Sequence, residues 1–126
     1  LKMKGDRMSR YVDGFVIPIK KKNIKAYKKL ASLACKVWME YGALDYYECV
    51  GDDFALPGGI PFPRLCKLKS DETVIFAFIV YKSKAHRNRV NKKVHKDERL
   101  CGDQMPMPFD MKRFTCGGFK VLVQNK

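Results

Sequence analysis

A histidine and an arginine, His86 and Arg87, stand side by side one turn into an expected helix that follows directly on the most hydrophobic stretch of the chain, Thr73 to Tyr81. Ser83 suits the N-cap of that helix, which leaves free backbone N–H groups and the positive helix end beside an imidazole and a guanidinium. At such a corner His86 is expected to have its pKa pushed down, so that it is neutral near pH 7 and able to accept a proton as the one candidate catalytic group. Arg87 and the free N–H groups suit a carboxylate or a phosphate. A structural reading stands beside this one, in which both side chains only satisfy backbone carbonyls and carboxylates nearby. No complete catalytic motif accompanies them.

A second function class rests on charge. The 126 residues carry 26 Lys and Arg against 13 Asp and Glu, a formal net charge of +13, which favours acidic partners such as nucleic acid. The densest basic segment is Lys82, Lys84, Arg87, Arg89, Lys92, Lys93, Lys96 and Arg99. On a helix, Arg89, Lys92, Lys93 and Lys96 share one side and can follow a phosphate backbone, giving salt-dependent affinity; a merely solvated face explains them equally. The strand with Phe76 and Phe78 lacks the glycine-bearing pattern of an RNA-recognition sheet, and these rings are better read as the core of a dimer. A third possibility is a binding module without catalysis.

Other chemistry finds little support. Asp52 and Asp53 are adjacent on an expected strand and point to opposite faces, so they make no metal site alone, and neither metal nor cofactor is expected. Five cysteines, at positions 35, 49, 66, 101 and 116, form an odd set without a CxxC pair. They fit a reduced cytoplasmic protein rather than a disulfide framework. No apolar run reaches the roughly 20 residues of a membrane helix, and Leu1 to Arg10 lacks the apolar core of a signal peptide. No membrane association is expected.

The elements that must carry these residues follow from periodicity. Residues 1–7 read as a basic tail and residues 8–126 as one domain, with 46% hydrophobic residues for a core. Tyr11 to Ile19 reads as a strand with apolar residues on both faces. Asn23 is expected to cap a helix with the stripe Ile24, Tyr27, Leu30, Ala31, Ala34, Val37, Trp38 and Tyr41, ending at Gly42. Leu44 to Asp53 is a more polar strand. The loop Pro57 to Pro63 is too rich in Pro and Gly for regular structure, and Leu65 to Lys69 is expected to be extended. Thr73 to Tyr81 is a doubly apolar strand, Lys84 to Asp97 a helix, Leu100 to Lys112 a long loop and Arg113 to Val123 a final strand. Gly117 and Gly118 in it signal a bulge or a close backbone approach.

The order βαββαβ predicts an α+β, ferredoxin-like plait, with two helices on one face of a four-stranded antiparallel sheet. Because the two best strands are apolar on both faces, the face without helices needs a cover, and a second copy of the chain supplies it most simply. The expected assembly is a homodimer with sheets face to face.

Specific strings agree with this frame: YVDGFVIPI at Tyr11 to Ile19, VWMEYGAL at Val37 to Leu44, YECVGDD at Tyr47 to Asp53, DETVIFAFIVYKSKAHRNRVN at Asp71 to Asn91 and MPFDMKRFTCGGF at Met107 to Phe119. On these the chain resembles the DUF1428 family of YbaA-like proteins, from Met8 nearly to its end. The resemblance implies a dimeric α/β barrel of ferredoxin-like type and a soluble bacterial protein, with no established activity. Some members carry a name alluding to signal-recognition-particle RNA. The polar residues of the matching strings, Asp13, Glu48, Asp110 and Arg113, are then the candidate lining of a pocket between sheet and helices for a small acidic or polar organic ligand. Under the structural reading, Asp13 and Asp110 instead pair with His86 and Arg87, and Asp110 pairs with Arg113 at i, i+3. Cofactor-free monooxygenases and isomerases share the architecture, an analogy of fold alone.

Overall fold

The computed structural model describes residues 9–100 and 107–125. The expected tail, Met8 as first folded residue, Cys101 and the middle of the expected long loop lie outside the described residues. Strand β1 is Tyr11–Lys20, helix α1 Ile24–Glu40, β2 Asp45–Val50, the one-turn helix α2 Phe62–Leu65, β3 Glu72–Tyr81, helix α3 Lys84–Val94 and β4 Thr115–Lys120. Short 3-10 turns at Lys21–Asn23 and Met111–Arg113 precede α1 and β4. The sheet order is β2-β3-β1-β4 with every pair antiparallel, the ferredoxin-like plait.

Register assigns the faces. Gly14 opposite Phe78 and Phe15 opposite Ala77 set β1 against β3, so that Asp13, Phe15, Ile17 and Ile19 share a face with Ile75, Ala77, Ile79 and Tyr81. Both helices press on that face. Tyr27 and Ala31 of α1 join Ile17, Ile19, Ile75 and Ala77 in one cluster, while Val37, Val90 and Val94 join Ile79 and Tyr81 in a second. Each fully buried aliphatic side chain among these is worth about 1.5–3 kcal/mol in removed apolar surface. The opposite face carries neither long helix; Val74 at one end of it is buried and Phe62 packs on Phe76, but Tyr47, Phe76 and Phe119 are 53%, 46% and 60% exposed.

The ends of α1 show where local chemistry held and where it did not. Gly42, at φ 114°, stops the helix as expected, with its N–H donating to Met39 O and the Ala43 N–H to Trp38 O, both at 3.1 Å. Asn23 makes no side-chain cap; its Nδ2 instead donates 3.2 Å to Pro108 O, because the preceding 3-10 turn already uses the helix start. Two expectations around the Pro-rich loop need correction. Phe62–Leu65 forms a helical turn although Pro63 lies in it, since first-turn N–H groups have no intrahelical partner to lose. The segment after it is turned rather than extended, with Cys66 N–H bonding Phe62 O and Leu68 N–H bonding Pro63 O. The last strand and second helix are both shorter than their patterns, ending at Lys120 and Val94.

Arg113 ties this region together. Its guanidinium donates 2.7 and 3.1 Å to the two oxygens of Glu72 and 3.1 and 3.2 Å to the carbonyls of Cys66 and Lys67. The expected Asp110–Arg113 side-chain pair is therefore corrected: Asp110 Oδ1 accepts from Lys112 N–H at 2.9 Å and caps the 3-10 turn. The Arg113 hydrogen bonds, helped by the Lys69 N–H, hold the Glu72 carboxyl down to about 2 from 4.5. As pH falls the unfolded chain takes up that proton first, so the pair stabilises fully above about 4.5 and fades as pH drops toward about 2. Glu72→Gln is expected to flatten the acid limb of the urea midpoint across that window; a limb as steep as in the parent protein would refute the assignment.

Candidate functional site

Between the sheet and the two long helices lies a cavity of about 520 Å³, the size class of small-molecule sites. Its lining is mostly apolar, with six aromatic side chains, Phe15, Tyr27, Trp38, Tyr46, Phe109 and Phe114. Alternation along β2 turns both Tyr46 and Glu48 to the helix face, opposite Ile79 and Ala77. There Glu48 is held from two sides: Tyr27 Oη donates to one carboxylate oxygen and Tyr46 Oη to the other, each at 2.7 Å. Burial, together with the adjoining Glu48 charge, pushes both phenols far above their ordinary range, so they stay neutral donors.

A second cavity of about 460 Å³ shares Phe15, Trp38, His95, Met107, Phe109 and Phe114 with the first and contains a different polar group. Asp13, 7% exposed on the helix face of β1, lies 3.7 Å from Arg87 Nε and accepts a long 3.5 Å bond from Asn91 Nδ2. Arg87 also donates 3.2 Å to Tyr11 Oη, with its guanidinium carbon 4.9 Å from the centre of the Tyr11 ring. Gly118 explains the approach: a Cβ there would lie 2.9 Å from Arg87 Nη2 and run into Tyr11 Oη. Asn91 links this group to Trp38 Nε1 at 3.0 Å and to the fully buried Tyr81 Oη at 3.2 Å. Buried Arg87 Nε makes no hydrogen bond among the described residues.

The sequence candidates are thus divided. Asp13 and Arg87 meet, Glu48 faces the neighbouring cavity, and Asp110 and Arg113 line a separate groove with Glu72 and Asn23. His86 lines neither of the two joined cavities. Ser83 Oγ caps α3 by accepting from His86 N–H at 3.1 Å, as expected, but the imidazole turns back to backbone, Nδ1 accepting from Lys82 N–H at 2.9 Å. Burial lowers its pKa first, with the Lys82 and Arg89 charges adding, while a hydrogen bond to the Gly42 backbone opposes them. It is neutral for these reasons. Tyr27 and Trp38 were read from the sequence only as members of an apolar stripe, and Tyr46 and Asn91 were not singled out. The signal was present: a tyrosine within an apolar stripe needs a partner for its hydroxyl, and Tyr46 and Glu48 share a strand face.

Comparison with known proteins places this architecture. The family model described as "Protein of unknown function (DUF1428)" matches residues 10–111. The chain belongs to the DUF1428 family. Uncharacterized protein YbaA of Escherichia coli K12 is 36% identical over 118 residues, which are 92% of this DUF1428 chain and 99% of YbaA; YbaA of Shigella flexneri matches equally. Among solved structures, a dimeric ferredoxin-like protein from an uncultured marine organism superposes with a TM-score of 0.57 at 12% identity, over 93% of this chain and 99% of that one. At that identity the likeness concerns the fold. Among the described residues of the DUF1428 chain, no helix is long and apolar enough to cross a membrane, and no group of three or more His, Cys, Asp or Glu is placed to hold a metal ion.

Proposed function

We propose that this protein is a homodimer whose subunits each bind a small polar organic molecule with an apolar body in the cavity between sheet and helices. The observation that carries the reading is an aromatic-lined space with one carboxylate fixed in it by two tyrosine hydroxyls. Apolar walls supply affinity and a few fixed polar groups supply orientation. The polar organic ligand expected from the sequence is kept and the acidic one is not, because Glu48 faces the central cavity while Arg87 lies with Asp13 beside it. Dimerisation through the open sheet face is supported by its exposed Tyr47, Phe76 and Phe119 and by the dimeric state of the solved neighbour. The pocket is tested with 1-aminoanthracene, a neutral apolar dye, using energy transfer from Trp38, which is the sole tryptophan and lines the cavity. The dye is expected to bind saturably, and Ala34→Phe, which puts a ring into the space, to weaken it about tenfold or more. Unchanged dye affinity in that variant would sink the pocket.

A second reading, phosphate-backbone binding on α3 and the turn after it, is favoured by Arg89, Lys92 and Lys93 of the helix and by Lys96, which lies beyond the helix end at Val94 rather than on the helix as expected; all four are exposed and in no ion pair among the described residues. Two members of the basic segment are withdrawn from it: Arg87 turns inward to Asp13, and Arg99 pairs with Asp97 and Glu40. Replacing Arg89, Lys92, Lys93 and Lys96 by Ser is expected to reduce the log–log salt slope of single-stranded RNA binding by about 3. An identical slope would rule out the face.

A further inference from the structure

The charge pattern of the central cavity defines its ligand further, on the pocket reading above. Among the described lining residues Glu48 is the only Asp, Glu, Lys or Arg, with His95 the one other titratable side chain besides the tyrosines, and no lysine or arginine pairs with Glu48. Its two hydrogen-bond donors are neutral phenols, one on each oxygen, so the carboxylate is oriented without its charge being cancelled, and each oxygen keeps a further acceptor site. Around it the faces and edges of Tyr27, Trp38, Tyr46 and Phe109 form the wall, with Tyr27 against Phe109 at 5.8 Å and Trp38 against Tyr46 at 6.2 Å. Aromatic quadrupoles and a fixed negative charge favour the same guest.

We propose that the cavity takes an organic cation, a protonated amine or quaternary ammonium on a small apolar body, with Glu48 as counter-charge and the four rings as its surround. Cation–π attraction strengthens where the cation sheds water against apolar walls, and a charge-assisted bond to the carboxylate adds direction. An anionic guest meets a like charge with no lysine or arginine on the wall among the described residues, Arg87 being turned to Asp13 in the adjoining cavity. The chain's own formal charge of +13 opposes a cation at long range. At roughly physiological salt that repulsion is screened beyond about 8 Å, so the contacts inside the cavity decide the sign.

The test is competition against bound 1-aminoanthracene at neutral pH by three probes of one shape and different charge: 2-phenylethylamine, 2-phenylethanol and 3-phenylpropionate. The amine is expected to displace the dye at concentrations about tenfold or more below the alcohol, with the carboxylate weaker still. Glu48→Gln is expected to erase the amine's advantage, its fold checked by circular dichroism; the probe series on the parent protein decides independently of that variant. Alcohol or carboxylate competing as well as the amine overturns the cation while leaving the pocket reading intact. Failure of the dye itself to bind overturns both.

Discussion

Phe76→Asp is expected to turn the proposed dimer into a monomer. Phe76 is 46% exposed in the single subunit and touches Phe62 and Phe78 at ring-centre distances of 6.5 and 6.1 Å, on the face where the second copy is proposed to sit. Replacing it removes part of about 1.5–3 kcal/mol of apolar burial and places an unpaired carboxylate at a desolvated contact, for a combined loss of about 4 kcal/mol or more. That corresponds to about three decades in the dissociation constant. Because the side chain is half exposed without a partner, the subunit itself loses little. Sedimentation equilibrium checks the outcome, and a dimer of unchanged affinity would place the interface elsewhere.

Arg87→Met is expected to cost about 3 kcal/mol of folding stability, more than any loss of surface charge explains. Asp13 is 7% exposed, and Arg87 is the only cation paired with it among the described residues; its other neighbours are neutral, Asn91 at 3.5 Å and the Tyr81 hydroxyl. Removing the guanidinium leaves that carboxylate buried without a counter-charge and empties the stack on Tyr11. The double variant Asp13→Asn with Arg87→Met is therefore expected to be more stable than Arg87→Met alone, which a urea-denaturation cycle reads directly. Additive losses would show that the two side chains act independently and that Arg87 serves only as packing.

Most of the fold was legible because its signals are local and periodic. Two-residue alternation in Tyr11–Lys20 and Glu72–Tyr81, the three-to-four-residue stripe from Ile24 to Val37, and the stop at Gly42 each follow from backbone geometry acting over a few residues. The second apolar face of the sheet, free of the two long helices, was equally readable, since Phe76 and Phe78 alternate with Ala77 and Ile79 on one strand. Errors fell where a neighbour distant in sequence outbid local preference. Asn23 gave its amide to Pro108, Arg113 took Glu72 instead of Asp110, and the segment after Pro63 coiled into turns that the Arg113 guanidinium holds through two carbonyls.

The candidate site divides along the same line. His86 was marked by its place beside a helix start, and the sequence did determine its neighbours Ser83 and Lys82, because they lie within one turn of it. Which way the ring faced was beyond local rules, since the Gly42 backbone reaches it from the other end of the chain's first helix. Residue types, strand faces and the βαββαβ order of the plait were written in the sequence. The meeting of Tyr27, Tyr46 and Glu48, and of Asp13 with Arg87, was settled only by tertiary structure, where β2 and α1 share one cavity and β1 and α3 enclose another. Hydrogen bonds and ion pairs act over about 3–4 Å in space, and sequence separation carries no information about that distance once a chain has folded back on itself.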